Sequence, residues 1–170
     1  MKLARVVLGL SVLLIASNAF GQKVTTQSAP NVNWSQYKTY AWGESESVAN
    51  PITNQYIVSA VEAQLAAKGM TKVESDPGLI VIYNATTDTQ KQLNWSGMGG
   101  FGRFGGGMGS AQVDNITQGQ LIVDIVDTKA KQFLWRGTAN DTVSNDPQKT
   151  QKTITKAVTK MFQKFPPTGQ

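Results

Sequence analysis

Histidine and cysteine are both missing from the 170 residues, and their absence decides most of the chemistry open to this chain. Without them no Ser-His or Cys-His nucleophile can be assembled, and nearly every zinc or transition-metal site is ruled out. Carboxylates remain. Asp124 and Asp127 are the close pair beside a predicted strand, but odd spacing sends the two side chains to opposite faces, so they cannot share a water or a sugar. Glu44 and Glu46 point the same way, yet they stand in a polar loop that offers no desolvation to tune an acid. No Asp-x-Asp-x-Asp-Gly calcium loop occurs. Serine and lysine are plentiful, which leaves a Ser-Lys hydrolase as the enzymatic alternative. The residues predict a non-enzymatic protein with no catalytic residues, no metal and no cofactor.

Two groups of residues are suited to recognition. The stretch Trp95 to Gly109 holds eight of the sixteen glycines, interleaved with Met98, Phe101, Arg103, Phe104 and Met108. Glycine leaves such a backbone unconstrained, while aromatic residues and arginine are favoured contact residues. Trp95, Phe101, Arg103 and Phe104 are therefore the candidate partner surface, set against the plainer reading of a tolerated low-complexity insertion. Gly97-Met98-Gly99-Gly100-Phe101-Gly102 fits G-x-G-x-x-G, but more glycine follows where a dinucleotide site needs a helix to open. The second group is Lys152, Lys156, Lys160 and Lys164, with Lys149 on the same side. These form a candidate surface for anionic lipid, and equally the solvated face of an amphipathic helix.

The elements that position these groups follow from periodicity. Lys38 to Trp42 alternates and is rich in strand formers. From Ile52 to Lys68, Ile57, Val58, Val61 and Leu65 fall on one arc of a helix, and Gly69 supplies a left-handed cap. Met70 to Val73 reads as a short strand. Leu79-Ile80-Val81-Ile82-Tyr83 is apolar at every position, as in a central strand. Gln120 to Val126 and Lys131 to Ala139 form a hairpin around Asp127-Thr128-Lys129-Ala130, with Asp124 facing Arg136 directly or diagonally according to register. In the last helix Asp146 is the cap and Pro147 the first turn. Ile154, Ala157, Val158, Met161, Phe162 and Phe165 lie on one side and the lysines on the other. The order β-α-β-β-β-β-α predicts a two-layer α+β fold, a mixed β-sheet with two helices packed on one face.

Residues 1–21 read as a secretory signal. Lys2 and Arg5 precede the apolar run Val6 to Ala16, and small residues lead to Ala19-Phe20-Gly21, with cleavage before Gln22. The run is too short to span a bilayer, which needs about 20 helical residues, and no transmembrane span is expected after cleavage. With Lys2 and Arg5 gone, 14 basic residues face 11 acidic ones, a net charge of +3, too small to argue for nucleic acid. Residues 22–33 read as a flexible leader, and 34–167 as a single α+β domain with a disordered Gly-rich insertion at about 89–116.

Five pieces in order resemble a known family. They are Trp34-Ser35-Gln36-Tyr37-Lys38-Thr39-Tyr40-Ala41-Trp42, Leu65-Ala66-Ala67-Lys68-Gly69-Met70, Ser75-Asp76-Pro77-Gly78-Leu79-Ile80-Val81, Gly119 to Asp127 followed by Leu134-Trp135-Arg136-Gly137, and Lys164-Phe165-Pro166-Pro167. Together they resemble DUF4136, a domain of unknown function found in Gram-negative envelope lipoproteins, although Gly78 replaces the family's usual second acid. The resemblance implies export and an α+β fold, and supplies no catalytic residues. Many members carry a lipid-anchor cysteine, and this chain has none. The expectation is a periplasmic or secreted protein whose partner is an unknown envelope protein or an anionic lipid surface. Its role is protein–protein interaction, with lipid or glycolipid binding as the alternative.

Overall fold

The run Leu79 to Tyr83, apolar throughout, begins the longest strand of the fold. The computed structural model describes residues 22–46, 50–95 and 111–166, with backbone alone at 92–95 and 111–115. The expected signal segment lies outside the described residues, as do Phe101, Arg103 and Phe104. Six strands, β1 (Lys23–Ser28), β2 (Thr39–Trp42), β3 (Thr71–Lys72), β4 (Leu79–Trp95), β5 (Ala111–Asp127) and β6 (Phe133–Thr142), form one sheet in the order β1-β6-β5-β4-β2-β3. β2 runs parallel to both β3 and β4, and the other pairs are antiparallel. Helices α1 (Pro51–Ala67) and α2 (Pro147–Phe162) complete a two-layer α+β fold with a mixed sheet, as the sequence predicts.

The core forms between the helices and one sheet face. Leu79, Val81, Tyr83 and Ala85 alternate inward along β4, and Leu121, Val123 and Ile125 along β5. They meet Ile57, Val61 and Leu65 of α1 and Ala157, Val158, Met161 and Phe162 of α2. Burying such side chains contributes roughly 1.5–3 kcal/mol each, which is what fixes register and face. The intervening residues Ile80, Ile82, Ile122 and Val126 are half-buried on the other face. There Asp124 stands directly opposite Arg136 in the register, and the guanidinium donates to both carboxylate oxygens at 2.6 and 2.8 Å. The pairing is direct rather than diagonal, and the bonds to Asp124 hold the Arg136 guanidinium above its usual pKa.

Both helices start as their sequences direct. Asn50 accepts from the amides of Ile52 and Thr53, and Asp146 from those of Gln148 and Lys149, each followed by proline in the first turn. Gly69 adopts φ of 77° after α1, the left-handed turn that a Cβ would strain.

Two expectations are corrected. Residues 22–33 are not a featureless leader: Lys23–Ser28 is β1, paired with β6 from Lys23↔Asn140 to Ser28↔Trp135. Its residues are polar because only Val24 reaches the core, so no apolar alternation marks it as a strand. The insertion is also smaller than 89–116. β4 continues to Trp95 and β5 starts at Ala111, paired throughout. Thr86 to Lys91 are exposed on both faces, and a strand exposed on both faces shows no hydrophobic period.

Candidate functional site

The two ends of this sandwich are filled differently. At the end carrying the β5–β6 turn, Trp34, Trp135, Phe162 and Phe165 stack edge to face or tilted. Ring centroids are 5.0 Å apart for Trp34–Phe165 and 5.2 and 5.3 Å for Trp135 against Phe162 and Phe165. Gly137 makes this possible, because a Cβ there would stand 2.5 Å from the Trp135 ring and 3.0 Å from the Met161 sulfur. Asp127 closes the turn by accepting from the Lys129 and Ala130 amides, both at 2.7 Å, and from the Tyr37 hydroxyl. The Tyr37 bond, then the Ala130 amide, hold the Asp127 carboxyl below the usual range. Burial first, then the bond to Asp127, push the Tyr37 hydroxyl up.

At the opposite end both helices begin, and the core side chains become small. Ile57, Ala85, Leu121, Ala139, Ile154 and Ala157 surround an apolar slot of about 80 Å³. Its rim carries neutral hydroxyls and amides, among them Gln22, Thr53, Thr87, Thr142, Ser144 and Thr153, and among the described residues Asp141 is the one charged residue lining it. Gln22 donates to the Thr153 carbonyl at 3.0 Å, while its own Oε1 is buried without a hydrogen-bond partner. From the rim the β4–β5 ladder runs on past the end of β6, which stops at Thr142 opposite Gln118. Beyond Thr117, whose carbonyl accepts from the Val143 amide at 2.8 Å, the pairs from Gln90↔Ile116 to Trp95↔Ala111 join, among the described residues, these two strands alone, an arm of roughly 20 Å at strand rise.

The acids that drew attention by their spacing have neighbours to serve. Asp124 holds Arg136 and Asp127 holds the turn, on opposite faces as the odd spacing requires. Glu62 accepts from Lys72 at 2.8 Å and Trp42 at 2.9 Å, tying α1 to β2 and β3. These two bonds, Lys72 first, hold its carboxyl below the usual range. Among the described residues, no three acidic side chains gather as a metal site, and no helix is long and apolar enough to cross a membrane.

Of the candidate partner surface, Trp95 ends β4 at the far end of the arm, and the other three residues lie outside the described ones. Lys152, Lys156 and Lys164 are exposed and Lys160 is half-buried. The first three of the row follow one side of α2 at every fourth position, and Lys164 lies just past the helix end. None of the four lines the slot. The slot itself escaped sequence reasoning. Its one trace is the change from large apolar residues to Ala85 along β4, Ala139 along β6 and Ala157 along α2.

A two-layer α+β sandwich, sealed at one end and drawn out into an arm at the other, is the class of fold these features define. The family model described as a domain of unknown function, DUF4136, matches residues 24–167, nearly the whole chain, and the chain belongs to that family. No curated protein matches it. Among solved structures it is similar to a PDZ domain protein from Parabacteroides distasonis, at 16% identity and a TM-score of 0.56 over 88% of this chain. The chain spans 37% of that protein's length, and the likeness concerns fold alone. It is also similar to a PelC dodecamer subunit from Paraburkholderia phytofirmans (10% identity, TM-score 0.49, 81% of this chain and 96% of that one). A minor lipoprotein from Acinetobacter baumannii matches at 13% identity and a TM-score of 0.38, over 76% of this chain and 92% of that one.

Proposed function

We propose that this is a non-enzymatic, exported protein of the bacterial cell envelope that acts by engaging a protein partner through its arm. The observation that carries the reading is the arm itself. Its exposed residues Gln90 and Lys91 add nothing to the core, and a bare two-stranded ladder contributes little stability of its own. An element that does not hold the fold together is a natural place for contact. It carries the chain out to Trp95, beyond which Phe101, Arg103 and Phe104 follow in sequence. The leader-like residues 1–21 support export.

Envelope fractionation with in-cell crosslinking tests this, comparing the full chain with a deletion of Gly97 to Gly109. The expected result is a discrete adduct in the envelope fraction that the deletion loses. Adducts from both forms, or from neither, would remove the arm as the contact element. Recovery of the full chain in the cytoplasm would remove export.

A second reading, lipid or glycolipid binding, is favoured by the apolar slot at the base of the arm. The lysine row gives that reading no help at the slot, since it stands elsewhere on α2.

A further inference from the structure

We infer that the slot holds the hydrocarbon end of an uncharged, hydroxyl-bearing single-chain amphiphile, an inference that rests on the lipid-binding reading above. Three observations select this occupant. The inner lining, from Ile57 to Ala157, is apolar and drawn from α1, β4, β5, β6 and α2, so what enters is uncharged and gains by leaving water. The volume of about 80 Å³ is well below the roughly 150 Å³ in which a dry apolar cavity takes benzene. It therefore suits a narrow chain end.

The rim then selects the head group. Among the described side chains no lysine or arginine lines the slot, and Asp141 does, so a carboxylate, sulfate or phosphate would meet a like charge there. Two acceptors belong to the lining residues: the Asp141 carboxylate, one oxygen of which takes the Thr142 amide, and the Oε1 of Gln22, buried without a hydrogen-bond partner. A buried acceptor without a partner is unfavourable, and a hydroxyl donated from a ligand that reached it would relieve that cost. Neutral hydroxyls on Thr53, Thr87, Thr142 and Ser144 surround the same mouth and suit a sugar or glycerol head. The recognition is thus opposite in charge to the one the lysine row suggests.

The test is an amide-resolved NMR titration of the purified full chain with octyl glucoside and with octanoate, both below their micelle concentrations. Octyl glucoside should shift amides of Ala85, Leu121, Ala139 and Ala157, with octanoate at least ten-fold weaker. Ala157→Leu, which fills the slot, should weaken octyl glucoside at least ten-fold. Ala85→Val does the same work if the first variant fails to fold. Asp141→Asn should narrow the gap between the two heads. Equal or tighter binding of octanoate overturns the head-group assignment. Shifts confined to the Lys152 and Lys156 side of α2 would overturn the slot and spare the lipid reading. Silence from every amide would sink both.

Discussion

The turn end and the arm end of this sandwich are built from the same strands and the same two helices, yet one is sealed and the other is open. At the turn end four large rings meet over a glycine and fill the core. At the arm end the same inward positions are Ala85, Ala139 and Ala157, and a slot remains. Protein interiors pack like organic crystals, so side-chain size, rather than topology, decides which end can admit another molecule. The sealed end carries stability. The open end is free to carry function.

The contrast can be broken by substitution, and the largest effect is expected at the sealed end. Trp135→Ala removes the ring that touches both Phe162 and Phe165, and should cost roughly 3–5 kcal/mol by urea unfolding. A cost below that range would mean the aromatic cluster is not the main seal. Gly137→Ala should cost about 1–3 kcal/mol, because the new methyl drives into Trp135 and Met161. The same kind of change has the opposite sign at the open end. Ala157→Leu adds carbon where there is space and should raise stability, at about 0.8 kcal/mol per methylene buried; a lowered melting temperature would show that the slot is not truly open.

Acid should affect the tie points next. Asp127 and Glu62 titrate below the usual range in the folded chain. Their contribution is full above the unfolded carboxylate pKa of about 4, and is lost as pH falls through the lower folded values. Thermal melts should therefore drop between about pH 5 and pH 2, and Asp127→Asn should flatten part of that slope. At the other limit, Tyr37, Tyr40 and Tyr83 are all raised, chiefly by burial. What they contribute is present below about pH 10 and lost above it. The smallest effect belongs to the arm. Replacing residues 90–116 with a short Asn-Gly turn should leave the melting temperature nearly unchanged, and a large fall would mean the arm is part of the fold after all.

Where burial imposes a pattern, the sequence was legible. The inward stripe of α2, the caps at Asp146 and Gly69, the central run from Leu79, and the facing of Asp124 and Arg136 all follow from periodicity or turn chemistry. β1 left no such pattern because it buries little beyond Val24, and the arm because both its faces meet solvent. The slot was harder still. It is assembled from single residues in five distant segments, and its defining property is the smallness of side chains rather than their chemistry. Residue types can announce a metal or a nucleophile, but not a space that appears only when Ala85, Ala139 and Ala157 converge.

The position of β1 also sets an order of events. It is the first described strand in the chain, and its only partner among the described strands is β6, the last of them. A chain made or threaded from its amino end must leave Lys23–Ser28 unpaired until Phe133–Thr142 arrives, and the ladder between them closes around all the intervening fold. Long-range closure of this kind comes late because its entropy is repaid last. Every other pair in the sheet can form before it. β1 is therefore the latch of the domain, and until it shuts, the outer edge of β6 stands open to any other strand.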